Sequence, residues 1–483
     1  MVNQSSSYMK TNIYLFIVII STLSRLVCQS QPAFEQYLIS DQTESTEGLY
    51  ICDLDSDGDN DILAAAADDN DVIWWRNDGS VPVQWTKILI DENCLGAGSV
   101  FAADLNNDSL MDVIAAAKTG NYVAWYENPG TTQRNWTRRV IRVGYIFPHE
   151  VYAYDVNLDG RKDILAASSE ENEITLYLNM GGNPIDWNEQ TIADGFSQAK
   201  SVHVGDFNND SIPDVVGASL VDNEITWWEN SGTVPIQWTE HIVTTSFPGA
   251  HRVQAIDLDK DGRIDILGTG YYANQIAWWR NDGGNPVVWT EQIITTGFLS
   301  ACIAQAIDLD NDSDIDVVGT SQNGDEVAWW ENEGGYPIIW TKHVMDGLFD
   351  RVWPLYAGDL DGDGDNDVVG ASGYAGNSEV RWYRNNLVVG IDKPSLMFTF
   401  NRLFPNPFGN VVRLYCGFSN PADISVQVLS NTGIEVARFL FPKQPDRMVE
   451  LKIPTEKLPN GLLYFKILLG DEVLMVKGVH LSP

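Results

Sequence analysis

Basic residues are scarce: 30 Lys and Arg face 67 Asp and Glu, for a formal charge of −37 over 483 residues. A surface of that sign repels a phosphate backbone over a Debye length or more, which excludes a nucleic-acid partner. Cysteine is rarer still, with five in the chain and no C-x-x-C spacing, so neither a zinc site nor a redox pair is expected. The thiols Cys52, Cys94, Cys302 and Cys416 do not recur at equivalent repeat positions and read as buried free groups, one disulfide remaining open. There is no G-x-S-x-G, no H-E-x-x-H and no glycine-rich phosphate loop. Beyond the N-terminus no run is long and apolar enough to span a bilayer, so no membrane span is expected in the mature chain. What remains is a chain of 44% hydrophobic residues rich in aromatics, with 17 Trp, 18 Tyr and 17 Phe. That composition supports a packed core and suits cations and neutral sugars as ligands.

The N-terminus narrows the compartment. Lys10 precedes the apolar run Ile13–Ile20, and cleavage near Ser30 fits a secretory signal peptide over residues 1–30. Its removal takes Lys10 and Arg25 and no anion, leaving about −39. A secreted or cell-surface protein is expected.

An internal repeat dominates the rest. Seven aspartates, Asp53, Asp104, Asp155, Asp206, Asp257, Asp308 and Asp359, open similar segments at a constant spacing of 51 residues. Downstream lie the pairs Trp74-Trp75, Trp125-Tyr126, Leu176-Tyr177, Trp227-Trp228, Trp278-Trp279, Trp329-Trp330 and Trp382-Tyr383. A further strand opens at Trp85, Trp136, Trp187, Trp238, Trp289 and Trp340. In the second unit the pattern predicts strands at 97–103, 112–117, 121–127 and 136–142, with no helical period. Four antiparallel strands in about 50 residues make a propeller blade, and seven blades close a ring. Adjacent aromatics point to opposite faces of a strand, so each pair is placed to pack on both neighbouring blades. The last unit lacks its fourth strand. Residues 34–39, one period before Trp85, resemble it and are expected to complete that blade non-covalently. The predicted fold is all-β: a seven-bladed β-propeller over residues 31–386, followed by a C-terminal antiparallel β-sandwich.

Each segment follows D-x-[DN]-x-D-[GS]-x-x-D, with acidic or amide residues at positions 1, 3, 5 and 9. They are Asp53, Asp55, Asp57 and Asp61; Asp104, Asn106, Asp108 and Asp112; Asp155, Asn157, Asp159 and Asp163. The fourth and fifth loops carry Asp206, Asn208, Asp210 and Asp214, then Asp257, Asp259, Asp261 and Asp265. The last two carry Asp308, Asp310, Asp312 and Asp316, then Asp359, Asp361, Asp363 and Asp367. Alternate side chains converge when such a loop turns, and hard oxygen donors in a flexible ring suit Ca2+. The alternative is a set of metal-free Asx turns. Position 6 needs a sharp turn and holds Gly58, Gly160, Gly262 and Gly364, but Ser109, Ser211 and Ser313 elsewhere, so loops two and four, with Ser and Asn, are expected to bind more weakly. At position 12, where an EF-hand places a bidentate Glu, stand Ala64, Ala115, Ala166, Gly217, Gly268, Gly319 and Gly370.

These loops and their flanking strands resemble the FG-GAP/VCBS repeats of integrin-type seven-bladed propellers. The resemblance implies calcium at the four acidic positions of each loop, bracing the scaffold on the face opposite the start of the innermost strands. It extends to adhesion modules, ligand binders and some sugar-active enzymes, so activity is left open.

Residues 387–400 read as a linker, and residues 401–483 as a new pattern of alternating strands. Leu403-Phe-Pro-Asn-Pro-Phe, Asn431-Thr-Gly-Ile-Glu-Val and Leu458-Pro-Asn-Gly-Leu-Leu-Tyr-Phe-Lys resemble the type A C-terminal sorting domain of the type IX secretion system. The resemblance implies the type IX secretion machinery as a partner. The chain departs from the pattern at Leu462-Leu463-Tyr464 and in ending without a basic tail.

One register belongs neither to core nor to metal. Six residues before each first aspartate stand Glu47, Gly98, His149, Lys200, His251, Cys302 and Trp353, where each innermost strand begins. Around one mouth of the central channel, Glu47, His149, Lys200, His251 and Trp353 form a candidate site for an extracellular glycan or protein ligand. Tyr145, Phe196, Phe247, Phe298 and Phe349 share a second register, either at that mouth or packed between blades. His203, His241 and His343 read as isolated half-buried histidines. The alternative to a binding or adhesion module is a lyase or dehydratase using His149, His251 and Lys200.

Overall fold

A computed structural model describes residues 32, 34–130, 135–335, 337–373 and 378–386 of the repeat region. In the C-terminal part it describes 399–404, 411–417, 422–430, 435–444, 449–455, 457–469 and 472–480. The expected signal peptide, most of the linker, the Pro-Asn-Pro-Phe motif and the Asn431-Thr-Gly turn lie outside these residues. The chain divides into two compact units, 1–387 and 388–483. Among the described residues every regular element is a β-strand, and no helix is long and apolar enough to cross a membrane.

The first unit is a seven-bladed propeller. Each of six consecutive repeats forms one four-stranded antiparallel sheet, as in Thr46–Cys52, Asp61–Ala66, Asp71–Asn77 and Trp85–Asp91 of blade one. Blade two uses Ala97–Ala103, Asp112–Ala117, Tyr122–Glu127 and Thr137–Val143, within a residue of the strands read from the sequence. The seventh sheet takes its outer strand from the other end of the chain. Phe34–Ser40 pairs antiparallel with Val380–Asn385, Tyr37 lying opposite Trp382. The ring is therefore closed by hydrogen bonds, which removes the edge that an open array would expose.

Burial explains the strand sequences. The second strand of every blade, such as Asp61–Ala66 or Asp214–Ser219, is buried at all six residues. Sheets cover it on both faces, so it reads as a continuous apolar run instead of alternating. Small residues are required there. A Cβ on Gly217 would stand 2.4 Å from Ile174 Cδ1 and 3.1 Å from Trp228 Cζ3. Position 12 of the loop is thus a point of close blade contact, which is why no ligating Glu occupies it. The aromatic pairs divide as expected: Trp74 joins the cluster with blade two, and Trp75 the cluster with Leu360, Val369 and Trp382 of blade seven.

Among the described residues the C-terminal unit contains seven strands in two antiparallel sheets. One joins Thr399–Phe404, Val411–Gly417 and Val449–Pro454; the other joins Glu435–Gln444, Ala422–Ser430, Gly461–Leu469 and Glu472–His480.

Candidate functional site

Two sets of polar groups lie at opposite ends of the innermost strands, about 20 Å apart for seven residues at the usual rise. The Asp loops follow the strand ends; the candidate mouth residues sit at the strand starts.

In the loops the first aspartate organises the backbone. Its Oδ2 accepts the N–H of position 6 at 2.8–3.1 Å in all seven, as in Gly58 to Asp53 and Ser313 to Asp308. Position 6 is left-handed throughout, from Ser211 at φ 69° to Gly58 at 98°. The three serines there bear the strain that glycine avoids. The ninth aspartate is a brace. Asp61 is fully buried, with Oδ2 accepting from Leu54 N at 3.1 Å and Oδ1 from Asn77 N at 2.8 Å, and every repeat copies this pair. Burial pushes its carboxyl up to about 7, the two backbone donors opposing that shift.

Four loops bring three carboxylates within 4.8 Å of one another: Asp53, Asp55 and Asp57; Asp257, Asp259 and Asp265; Asp308, Asp310 and Asp316; Asp359, Asp361 and Asp367. Asp55, Asp308 and Asp361 each keep one buried oxygen with no hydrogen-bond partner. Orphaned buried acceptors beside further carboxylates are the donor set that a hard divalent cation satisfies, so these loops fit one. The other three loops differ. Asn106, Asn157 and Asn208 fold back, each amide donating to the aspartate at position 5 at 3.0–3.1 Å. Loop three, although it carries Gly160, shares this Asn geometry with loops two and four.

The third strand adds a charge that the loop pattern did not reveal. At one register it holds Arg76, Glu127, Leu178, Glu229, Arg280, Glu331 and Arg384. Arg76 pairs with Asp55 and, at 2.7 Å, with Asp57; Arg384 pairs with Asp361 and, at 3.3 Å, with Asp363. Where position 3 is Asn208, the neighbour is Glu229, at 3.3 Å. In loop six Asp310 has Glu331, not an arginine, at this register. Burial, then Asp312, and also Glu331 and Asp308, push the Asp310 carboxyl up to about 7.

At the other end, Glu47, His149, Lys200, His251 and Trp353 line one cavity of about 110 Å³. A shared backbone feature brings them together. In every blade the register with the second strand shifts just after the first residue of the innermost strand, for example between Pro148 and Glu150 or between Ala199 and Ser201. The second residue falls in this bulge and is re-aimed toward the axis. Cys302 is the exception: it is fully buried, and its thiol donates to Ser300 O at 3.1 Å. Three residues deeper, Tyr356, Tyr50, Phe101, Tyr152 and His203 form a floor, with successive ring centroids 4.5–4.9 Å apart.

His149 and His251 meet edge to face at 5.7 Å. Their Nδ1 atoms lie 2.9 and 3.0 Å from the carbonyls of Lys200 and Cys302 in the next blades. A carbonyl only accepts, so Nδ1 carries the proton and Nε2 is left as an acceptor. Burial, with Lys200 second, holds His149 well below its usual range and His251 down to about 3, so both are neutral. Burial and then Lys118 lower the Lys200 ammonium to about 8.

Lys118 and the Glu150–Arg252 pair were missed in the sequence. Lys118, buried just after the second strand of blade two, pairs with Glu47 and lies 5.7 Å from the Trp353 ring. Its signal was a lysine in a register otherwise uncharged. His203, read as isolated, lines the cavity. His241 and His343 are not isolated either; they bond Glu229 and Glu331 at 2.8 Å and stack on Trp227 and Trp329. Tyr145, Phe196, Phe247, Phe298 and Phe349 are core: all are buried, and Phe196, Phe247 and Phe298 abut Trp228, Trp279 and Trp330 edge to face.

Among solved structures, the chain is similar to one in the crystal structure of BBS1N in complex with ARL6DN soaked with lead. They are 14% identical with a TM-score of 0.50, covering 74% of this chain and 98% of that one. The mercury-soaked crystal gives 14% and 0.50, with 73% and 97% covered. At that identity the likeness concerns the fold alone. Comparison with curated proteins gives no significant match. The FG-GAP-like repeat model matches residues 53–115, 104–166, 155–217, 206–268, 257–319 and 308–370, each match running from one Asp loop into the next blade. Spanning about two thirds of the sequence in register with the blades, these matches show that the chain belongs to the FG-GAP-like repeat family.

Proposed function

We propose that this protein is a secreted, calcium-braced propeller that binds an extracellular glycan or protein ligand in the mouth of its central channel. The observation that carries the reading is the bulge repeated in all seven innermost strands. It turns polar and aromatic side chains into a cavity that the aromatic floor closes below. A merely solvated rim has no need of two imidazoles anchored across blades. Calcium is the cation that the oxygen-rich, flexible loops suit best, and its role here is to brace the ring opposite the mouth.

The C-terminal unit is proposed as a β-sandwich that serves as a type IX sorting domain. Alternate burial of Ile424, Val426 and Val428 on one sheet, and of Leu451 and Ile453 on the other, supports two apolar faces packed together. Export by that machinery to the cell surface or beyond follows from this reading and from the N-terminal signal.

A second reading, a lyase or dehydratase, is favoured by the neutral imidazoles, whose Nε2 atoms are proton acceptors beside Lys200. Glycan-array retention by the calcium-loaded chain, combined with product analysis, separates the two. Retention without turnover supports the binder, and new unsaturated ends support the lyase. Retention unchanged by His149→Ala, Lys200→Ala and His251→Ala would remove the mouth from either.

A further inference from the structure

We propose that the mouth selects the acidic end group of a glycan, a sugar bearing one negative charge as a carboxylate or sulfate ester, and that Lys200 anchors that charge. The inference rests on the mouth-binding reading and adds the electrostatic class of the ligand.

Charge accounting inside the cavity leads there. The lining holds Lys118, Lys200 and Arg252 against Glu47 and Glu150. Glu47 pairs with Lys118, and Glu150 with Arg252. A second oxygen of Glu150 accepts the Val202 N–H at 2.9 Å. Lys200 is left over: among the described residues no side chain or carbonyl bonds its ammonium, and Glu47 and Glu170 act on it only at longer range. It sits half-buried between blades whose imidazoles are neutral, so it has lost hydration without gaining a counter-ion. An anion restores what the cation lost through a charge-assisted hydrogen bond. One unpaired cation matches one negative charge; a dianion would leave excess charge facing Glu47 and Glu150. This small positive basin stands in a chain of −37, so an acidic ligand is attracted here and repelled by the surface as a whole.

The other walls specify the rest of the ligand. Two bare Nε2 acceptors, on rings 5.7 Å apart, call for hydroxyl donors. Trp353, its ring 5.7 Å from that of His251, offers an aromatic face to the apolar side of a sugar ring. Carboxylate or sulfate, hydroxyls and a stacking face together describe an acidic sugar, and neither a simple inorganic anion nor an acyl chain supplies all three. A cavity of about 110 Å³ over an aromatic floor admits an end group and not a threaded polymer.

The test titrates the full-length, calcium-loaded protein with trigalacturonate, its fully methyl-esterified form, a 6-sulfated galactose trimer and the unsulfated trimer. Binding of either acidic probe at least tenfold tighter than its neutral parent is expected. Lys200→Met should abolish that preference, while Lys200→Arg retains most of it. Melting curves of each variant in calcium establish that it is folded. Equal affinity for acidic and neutral partners, sensitive to His149→Ala, would overturn the charge assignment and leave the mouth reading standing. A preference that persists in folded Lys200→Met would overturn the role of Lys200. Absence of binding by all four probes, with array ligands indifferent to His149→Ala and His251→Ala, would overturn both.

Discussion

The Asn179 side-chain amide donates to Leu105 O at 2.8 Å, tying the third strand of blade three to the Asp loop of blade two across 74 residues. It also donates to Lys162 O at 3.1 Å, and its Oδ1 accepts from Gly181 N at 2.9 Å. Asn77, Asn128, Asn230, Asn281 and Asn385 make the same interblade bond, Asn77 reaching Leu360 across the ring closure. These asparagines therefore latch neighbouring blades beside the Asp loops.

Asn179→Ala strands a buried carbonyl on blade two and a part-buried one on blade three. We expect a loss of about 2–4 kcal/mol, against under about 0.5 kcal/mol for the exposed Asn188→Ala, measured by urea unfolding in calcium. Equal effects would show that the latch contributes little.

Cation binding should be linked to pH through the ninth aspartates. Burial, the leading cause, raises Asp61, Asp112, Asp214 and Asp265 to about 7, Asp163 to about 6, and Asp316 and Asp367 to about 8. A carboxyl raised on folding stabilises the fold fully below its unfolded value and loses that contribution as pH climbs through the folded value. Chelator-stripped protein should thus melt lower at about pH 8 than at about pH 5, and calcium should raise the midpoint mainly at the higher pH. Calorimetry at both values tests the sign; a midpoint at about pH 8 indifferent to calcium contradicts it.

The loops should not bind equally. Loop six has Asp308, Asp310 and Asp316 together with Glu331 facing Asp310, whereas Arg76 already occupies the carboxylates of loop one. Calcium titration should show Asp310→Asn weakening the tightest class of sites about tenfold or more, and Arg76→Ala strengthening a weaker one. The reverse order would mean that loop geometry outweighs charge.

Close packing at position 12 is testable without a ligand. Gly217→Val drives a side chain into Ile174, Trp228 and Phe196, and should cost about 1–3 kcal/mol in thermal or urea unfolding. Tolerance without loss would mean that the blades slide apart easily.

Retention of an acidic sugar should fall as pH rises through about 8, where Lys200 loses its proton. Lys118, Glu47, His149, His251 and Glu170 surround it; the histidines are already neutral there, and Glu47 is paired with Lys118. A binding curve flat from about pH 6 to 9.5 would assign the ligand to another group.

The sequence alone determined the blade count, the strand boundaries, the Asp loops and even the ring closure by residues 34–39. Each of these is a periodic or local signal: a 51-residue spacing, an alternation, or side chains converging within one turn. It also placed Glu47, His149, Lys200, His251 and Trp353 in one register. Tertiary structure decided what that register means. Whether a bulge residue enters the cavity, as His149 does, or is buried, as Cys302 is, depends on the neighbouring blade. So do the pairing of Lys118 with Glu47 and the Asn latches. These contacts join residues 71 to 283 positions apart, on strands whose proximity exists only once the sheets pack and the ring closes. Local patterns reveal which residues repeat; packing decides which of them remain without a partner.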